Sequence, residues 1–268
     1  MLRLSSLALA AICLWPVAAS ALELKNVRPS YGPLGAYRAD TNCVPGDSLF
    51  ITYDIEGLKV HGTTGRANYL TTLELIDSSN KVAFKKDTPN NVGLPLGGSR
   101  MPGDLIVFLG SNQKPGKHKV RLTVKDNLAK DAKSFEFAFN VVPPEFSFVG
   151  VSAKTVGFPG ENYVATFAIV DMTLNAKKQP DVDITMRVYD ADGKTPVAPQ
   201  ILSNLPKDLP DDIDLKKENF VPMQFPIYLN RTGTFIIEVL AQDKLTKKNI
   251  QLRYPLTVLD SAKLSSAK

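Results

Sequence analysis

The sequence repeats itself most clearly at residues 116–142, which read GKHKVRLTVKDNLAKDAKSFEFAFNVV. Apolar side chains recur at every second position over residues 120–124 and again over residues 135–141. Side chains two residues apart return to the same face of a β-strand, so each run predicts a strand with one buried face. The polar residues 126–133 between the runs predict a connecting loop. The stretch is therefore predicted to be a β-hairpin whose other face is solvated.

The same pattern returns later in the chain, displaced by 117 positions. The first copy contributes Gly116, Val120, Leu122, Val124 and Asp126, and the second copy contributes Gly233, Ile237, Val239, Ala241 and Asp243. A second block, Pro-Gly-Asp at 45–47 followed by an alternating run, returns as Pro-Gly-Glu at 159–161 with a displacement of 114. Small changes in loop length account for the difference between the two displacements. The chain is thus predicted to contain two tandem copies of one fold.

Each copy is expected to form about seven short strands, because turn signals recur at intervals of roughly ten residues and helical periodicity is almost lacking. This pattern predicts an all-β protein of two tandem β-sandwiches. The predicted domains are residues 22–142 and 143–260, and residues 261–268 are predicted to be a flexible tail. The proline pair at 143–144 directly follows the last strand of the first copy, which predicts a short, stiff junction.

Residues 1–21 have the composition of a secretory signal, with one Arg near the start, an apolar run at 7–15 and small residues at the end. Cleavage is predicted after Ala21. The apolar run is too short for a membrane-spanning helix, which needs about 20 residues. A lipoprotein signal is disfavoured because Ile12, which is not small, precedes Cys13. The mature protein is therefore expected to be secreted or periplasmic, with no transmembrane segment.

Signal removal leaves Cys43 as the only cysteine of the chain. A lone thiol in an exported protein is either buried as a small apolar residue or paired with another chain. Val44 and Pro45 follow it and no basic cluster lies near it in sequence, which favours burial. The fold is then expected to be held together by its core alone.

The chain resembles the bacterial immunoglobulin-like or fibronectin-III-like modules of secreted proteins in three features. These are the strand count, the Pro-Gly-acid start of each copy, and residues 116–126 with their turn, alternating strand and closing Asp. The resemblance covers nearly the whole mature chain and extends to tandem proteins with no assigned activity. It implies a β-sandwich with a binding or spacing role. The Cys-Trp-Cys core of antibody domains is missing, so this is not a true immunoglobulin domain, and the fold alone does not fix the function.

No set of residues in the sequence identifies a catalytic site. Nucleophilic catalysis needs a nucleophile, a base and an orienting group. Neither His61 nor His118 has an evident partner, and both are predicted to lie on the surface. The chain is therefore expected not to be an enzyme, and no catalytic or cofactor-binding residue and no cofactor is predicted.

Oxygen-rich loops raise the question of a metal site, at residues 126–131, 190–193 and 208–214. Calcium takes six to eight oxygen ligands, and no loop has the full spacing of a calcium site. Asp190 to Gly193 is also what a hairpin turn requires, so turn chemistry is the favoured interpretation. No metal ligand is predicted, and the stretch Asp208 to Asp214 is left open.

Positive charge is concentrated in the first copy. Residues 22–142 carry 16 Lys and Arg against 12 Asp and Glu, whereas residues 143–268 carry 15 of each. Four cations, called here the basic row, alternate along one strand and so point to one face: Lys117, Lys119, Arg121 and Lys125. The row is a candidate site for an anionic polymer. The alternative is an edge strand that carries Lys to prevent aggregation.

Taken together, the sequence predicts an exported, non-enzymatic binding or spacer protein at the cell envelope or outside the cell. The expected partner is another envelope or extracellular protein, or an anionic polysaccharide. The alternative function is a carbohydrate- or anionic-polymer-binding protein that uses the basic row. Nucleic acid is not expected as a partner, because the protein is exported and no aromatic stacking pattern accompanies the charge.

Overall fold

A computed structural model describes residues 21–207 and 220–260. These residues form sixteen β-strands in four sheets. The strands β1–β8 build one sandwich and β9–β16 build a second one, each from a three-stranded and a five-stranded sheet. This confirms the predicted all-β fold of two tandem β-sandwiches. The predicted signal sequence and tail lie outside the described residues, apart from Ala21.

The first sandwich contains eight strands, one more than the sequence suggested, because β2 is too short to show alternation. The strands are β1 Glu23–Ser30, β2 Asn42–Cys43, β3 Ser48–Glu56, β4 Arg66–Ile76, β5 Val82–Gly93, β6 Met101–Phe108, β7 Gly116–Asp126 and β8 Asp131–Val141. The three-stranded sheet has the order β1-β3-β6, and the five-stranded sheet has the order β2-β8-β7-β4-β5. All neighbours are antiparallel except β2 and β8, which are parallel.

The second sandwich repeats this arrangement strand for strand. Its strands are β9 Ser147–Ser152, β10 Val156–Gly157, β11 Asn162–Val170, β12 Val182–Asp190, β13 Ile201–Leu205, β14 Phe220–Tyr228, β15 Gly233–Asp243 and β16 Lys248–Val258. The sheets have the orders β9-β11-β14 and β10-β16-β15-β12-β13. The repeat seen in the sequence is therefore a repeat of the whole sandwich topology.

The predicted hairpin is β7 and β8, which pair in continuous register from Gly116 opposite Val141 to Asp126 opposite Asp131. The alternate side chains Val120, Leu122 and Val124 are buried between the two sheets. Full burial of an aliphatic side chain contributes about 1.5–3 kcal/mol, so alternation decides which face of the strand packs inward. The equivalent side chains of β15 are buried in the same way.

A buried aspartate ends the first strand of each hairpin. Asp126 accepts hydrogen bonds from the backbone N–H groups of Leu128 and Ala129 at 2.8 and 2.9 Å and from that of Lys59 at 2.7 Å. It therefore shapes the β7–β8 turn and ties it to the loop that follows β3. Asp243 has the same role in the second sandwich, where its Oδ2 accepts the backbone N–H of Thr173, the counterpart of Lys59, at 3.2 Å.

The prediction that His118 lies on the surface is wrong. His118 has the same parity as Val120 on β7, so its side chain points into the sandwich, where only 1% of the residue is exposed. Its Nε2 donates to the backbone oxygen of Lys114 at 3.0 Å, and its ring stacks on Phe139. His61, by contrast, is exposed as predicted.

Candidate functional site

The two sandwiches meet in a small apolar cluster. Val44 of the first sandwich packs on Val149 of β9 and on Ala168 and Val170 of β11, with Val142 at the side. The four central side chains are buried. The outer face of the three-stranded sheet of the second sandwich is thus covered by one end of the first.

A polar network crosses the same junction. Arg38 donates from Nη2 to Asp47 Oδ2 at 2.8 Å and to the backbone oxygen of Asn42 at 2.6 Å. The other carboxylate oxygen of Asp47 accepts the backbone N–H of Gly150 in β9 at 3.1 Å and that of Ser48 at 2.7 Å. Arg38 and Asp47 are both buried. Breaking a buried ion pair by removing one partner costs about 3–5 kcal/mol, so the network fixes the contact between the sandwiches.

The loop after β1, residues 31–36, makes a third connection. Its backbone pairs with the second sandwich, since Ala36 N–H donates to Ala153 O and Ala153 N–H donates to Tyr31 O, both at 3.0 Å. The Ala36 side chain is buried in the core of the second sandwich. Gly35 has no room for a side chain, because a Cβ atom there would lie 1.9 Å from the backbone oxygen of Tyr31. The sequence predicted only an irregular connection here. The glycines of this loop were the one feature that could have indicated a close approach of the backbone.

The basic row lies on the outer face of the first five-stranded sheet, and part of it is neutralised there. Arg121 pairs with Glu136 at 2.6 Å and with Glu74 at 3.2 Å, and Lys119 reaches Glu136 at 3.5 Å. These contacts are partly exposed, and such pairs are each worth only about 0–1 kcal/mol. Within residues 21–207 and 220–260, Lys117 and Lys125 form no ion pair and keep their charge free for a ligand.

The edge-strand interpretation of the basic row is wrong. The row lies on β7, which is hydrogen bonded to β8 on one side and to β4 on the other and is therefore an inner strand. The edges of this sheet are β5 on one side and, on the other, the two-residue β2 beside β8. Aggregation control at an edge therefore does not explain the four cations.

The metal candidates have other roles where the structure describes them. No group of three or more His, Cys, Asp or Glu side chains that could hold a metal ion occurs within residues 21–207 and 220–260. Asp192 accepts hydrogen bonds from Thr195 Oγ1 at 2.6 Å and from the backbone N–H groups of Thr195 and Lys194, which lower the pKa of its carboxyl group. This confirms the turn interpretation of residues 190–193. The stretch Asp208 to Asp214 lies outside the described residues.

Cys43 is buried in the core of the first sandwich, as favoured from the sequence. Only 1% of the residue is exposed. Its Sγ atom lies 3.9 Å from the backbone oxygen of Thr41. Burial raises the pKa of the thiol to about 12, because the thiolate would lose its hydration. The thiol is therefore protonated and inert at neutral pH.

Comparison with protein-family models and with curated proteins found no match. Among solved structures, the latent dimeric PorU of Porphyromonas gingivalis is similar over 90% of this chain, with 13% identity and a TM-score of 0.37. Red sea bream transglutaminase is similar over 91%, with 10% identity and a TM-score of 0.29. The C-terminal domain of the Streptococcus agalactiae AgI/II polypeptide BspA is similar over 88%, with 9% identity and a TM-score of 0.32.

This chain spans 21% of PorU, 32% of the transglutaminase and 100% of the BspA domain. All three TM-scores are below 0.5, so none of the three supports an assignment of function. None of the described residues belongs to a helix long and apolar enough to cross a membrane.

Proposed function

We propose that this chain is an exported, non-enzymatic protein in which two immunoglobulin-like sandwiches form one rigid binding or spacer unit at the cell envelope or outside the cell. Export rests on the signal-like composition of residues 1–21. The absence of enzymatic activity is proposed from the sequence, and the environment of His118, which is buried and stacked on Phe139, is in keeping with it.

The immunoglobulin-like assignment is supported by the strand order. In seven-stranded immunoglobulin-type sandwiches the first, second, fourth and fifth strands share one sheet, and the third, sixth and seventh share the other. When the two-residue strand β2 is set aside, β1, β3 and β6 correspond to the first, second and fifth strands, and β4, β7 and β8 to the third, sixth and seventh. The fourth strand, β5, differs from this pattern because it pairs with β4 in the other sheet. The second sandwich has the same correspondence.

The junction is the observation that carries the proposal. Interfaces between domains of one chain usually permit relative motion. Here an apolar cluster, the buried network of Arg38, Asp47 and Gly150, and the paired loop 31–36 act together. Three independent contacts hold the two sandwiches in one orientation, which suits a protein that presents its surfaces at a fixed distance and angle.

A distance measurement tests the fixed orientation. Spin labels are placed on Lys85→Cys of β5 and Lys194→Cys of the second sandwich, both of which are exposed, while buried Cys43 stays unlabelled. A single narrow distance distribution is expected, and Asp47→Ala is expected to broaden it. Glu161→Ala is the matched control, because Glu161 is equivalent to Asp47 but, among the described residues, its side chain accepts a hydrogen bond only within its own turn, from Phe158 N–H. A broad distribution in the unaltered protein would contradict the proposal.

A fractionation experiment tests the role in binding. The mature protein is mixed with isolated envelope material and with purified polysaccharides, and then eluted with rising salt. Retention on the envelope supports a binding role. Retention on polysaccharides alone would favour the alternative function, and lack of retention on both would leave only the spacer role.

The second candidate function, binding of an anionic polymer by the basic row, is favoured by one observation. Lys117 and Lys125 are exposed and unpaired among the described residues, and Lys85 on β5 adds a further cation to this face. Three carboxylates, Glu74, Asp87 and Glu136, oppose the cations. The face keeps a modest positive charge, which salt is expected to screen.

A further inference from the structure

A cleft lies on the outer face of the three-stranded sheet of the first sandwich, away from the basic row. Its volume is about 640 Å³. Ligand sites in proteins usually fall between about 300 and 1,000 Å³, so the cleft is large enough for a small organic ligand. Strands β1, β3 and β6 form its floor, and Pro33, Leu34 and Gly35 form one wall.

The second sandwich shows what the equivalent face does there. In that sandwich the face is apolar, with Val149, Ala168 and Val170, and is covered by the end of the first sandwich. By the strand register and the displacement of 114, the equivalent positions in the first sandwich are Lys25, Asp54 and Glu56. These residues are charged, so this face of the first sandwich is not suited to packing against the apolar end of another sandwich.

The floor of the cleft presents a donor and an acceptor in one row. Arg28 lies opposite Thr52, and Thr52 lies opposite Asp104, on three neighbouring strands. Neighbouring strands are about 4.8 Å apart, so the two charged residues are separated by two such spacings. Arg28 Nε lies 3.4 Å from Thr52 Oγ1. Among the described residues neither Arg28 nor Asp104 forms an ion pair, so both remain available to a ligand.

A second polar group beside this row is fixed in place. Asp54 Oδ2 accepts hydrogen bonds from Asn26 Nδ2 at 2.6 Å and from Arg100 Nη2 at 2.9 Å. The hydrogen bond from Asn26, followed by that from Arg100, lowers the pKa of Asp54. Asp54 is therefore ionised, and the donors Asn26 and Arg100, which line the cleft with it, are held by these hydrogen bonds. Such fixed donors recognise a ligand with little loss of side-chain entropy.

The wall of the cleft is held by the second sandwich. Leu34 is 83% exposed and has φ +55°, a left-handed conformation that costs a non-glycine residue energy. Its backbone oxygen accepts a hydrogen bond from Thr155 Oγ1 at 3.4 Å, and Gly35 forms a β-bridge with Lys154. The tandem arrangement thus fixes an exposed apolar side chain at the lip of a polar cleft.

We propose that this cleft binds a neutral saccharide, with Arg28, Thr52 and Asp104 bonding its hydroxyl groups and Leu34 and Pro33 contacting its C–H face. A hydroxyl group both donates and accepts, so it satisfies Arg28 and Asp104 alike. An anion would be attracted by Arg28 and Arg100 but repelled by Asp104 and Asp54. The inference deepens the proposed binding function and rests on it.

Affinity electrophoresis tests the site on the mature protein, in gels cast with neutral polysaccharides (dextran, galactomannan, xyloglucan and hydroxyethyl cellulose) and with anionic polygalacturonate. Retardation is expected in at least one neutral gel. Arg28→Ala/Asp104→Ala is expected to weaken it at least tenfold. The matched control is Asp192→Ala/Lys194→Ala, which also removes one anion and one cation, from an exposed turn of the second sandwich, and is expected to leave retardation unchanged. Leu34→Ser, a variant that preserves the charges, is expected to weaken binding as well.

Each other outcome overturns the site. These outcomes are no retardation in any neutral gel, retardation by polygalacturonate alone, and equal loss in the test and control variants. Sedimentation velocity measures one further outcome that would overturn the site. If the unaltered protein is a dimer and Arg28→Ala/Asp104→Ala is a monomer, a second copy of the chain occupies the cleft. Envelope retention is measured on the same variants. If the cleft variants are retarded in the gels as strongly as the unaltered protein and are still retained on the envelope, the saccharide site is wrong while the proposed binding function stands.

Discussion

Arg121 and Glu238 occupy equivalent positions on the central strands of the two five-stranded sheets, and their charges are exchanged. Arg121 lies between Glu74 on β4 and Glu136 on β8. Glu238 lies between Arg187 on β12 and Arg253 on β16. Each sandwich therefore carries a row of three alternating charges across the same place on its outer face, with opposite signs. Opposite charges side by side on neighbouring strands stabilise a sheet in either polarity, which is why both versions fit one fold.

The two rows differ in depth, and this leads to the first prediction. Glu238 is only 7% exposed and also accepts hydrogen bonds from Tyr189 Oη at 3.1 Å and Gln251 Nε2 at 2.8 Å. Glu238→Ala would leave these donors without their acceptor and two arginines without their carboxylate partner. Loss of such a partner costs about 1–3 kcal/mol, so the free energy of unfolding in urea is expected to fall by this amount.

The comparison variant is Arg121→Ala at the equivalent position. The side chain of Arg121 is 39% exposed, against 10% for that of Glu238, so its ion pairs lie closer to water and a smaller loss of stability is expected. Equal losses for the two variants would mean that the depth of Glu238 has no energetic consequence.

The buried carboxyl group of Asp243 predicts how the free energy of unfolding depends on pH. Burial alone would raise the pKa of Asp243, but hydrogen bonds from Thr173 and Thr246 outweigh it and lower the pKa. A carboxyl group whose pKa is lower in the folded state contributes stability above the unfolded pKa of about 3.9, and this is lost as the pH falls through the folded pKa. Asp243→Asn is therefore expected to be less stable than the unaltered protein at pH 7, with the difference shrinking below about pH 4.

Urea unfolding at pH 7 and at pH 3 measures this difference. Asp104→Asn is the control, because this side chain is exposed and forms no hydrogen bond or ion pair among the described residues. A stability difference for Asp243→Asn that stays constant across this pH range would show that the charge of Asp243 contributes nothing and that its shape alone matters.

Strand alternation made the fold predictable, because the sheets bury one parity of each strand. Val120 and Ile237 each belong to a period-two run, and the structure buries both. The same rule places His118 inside, and the surface prediction failed because it assigned His118 to the outward face of the strand, although His118 shares the parity of Val120. A buried imidazole is acceptable at this site since Lys114 accepts its N–H group.

The candidate sites were less predictable, because they depend on contacts between distant segments. Arg38 and Asp47 lie close in sequence, but their role arises only when Gly150 approaches Asp47. Likewise, Arg28 and Asp104 are far apart in the sequence and come into one row only because their strands both pair with β3. No local sequence pattern indicates this pairing. The basic row was found from sequence because it lies on one strand, yet the carboxylates beside it belong to other strands.

The burial of Cys43 predicts its reactivity. The thiol is 1% exposed and burial raises its pKa to about 12, so both the attacking thiolate and the access of a reagent are suppressed. In the native mature protein, no modification by a thiol-specific disulfide reagent is expected over hours at pH 8, whereas one thiol per chain should react at once in denaturant. A disulfide-linked dimer formed under native, oxidising conditions would contradict this prediction.

The basic row predicts a local effect of charge on the binding of anionic polymers. Lys117→Glu/Lys125→Glu reverses its two unpaired cations and is expected to lower the salt concentration at which the mature protein elutes from immobilised polygalacturonate. The control is Lys194→Glu/Lys248→Glu, which makes the same change in net charge on exposed positions of the second sandwich. If the row is a site, the first variant elutes clearly earlier than the control, because screened contacts act over only about 10 Å at 0.1 M salt. If both variants elute together, net charge alone governs retention and the basic row is not a binding site.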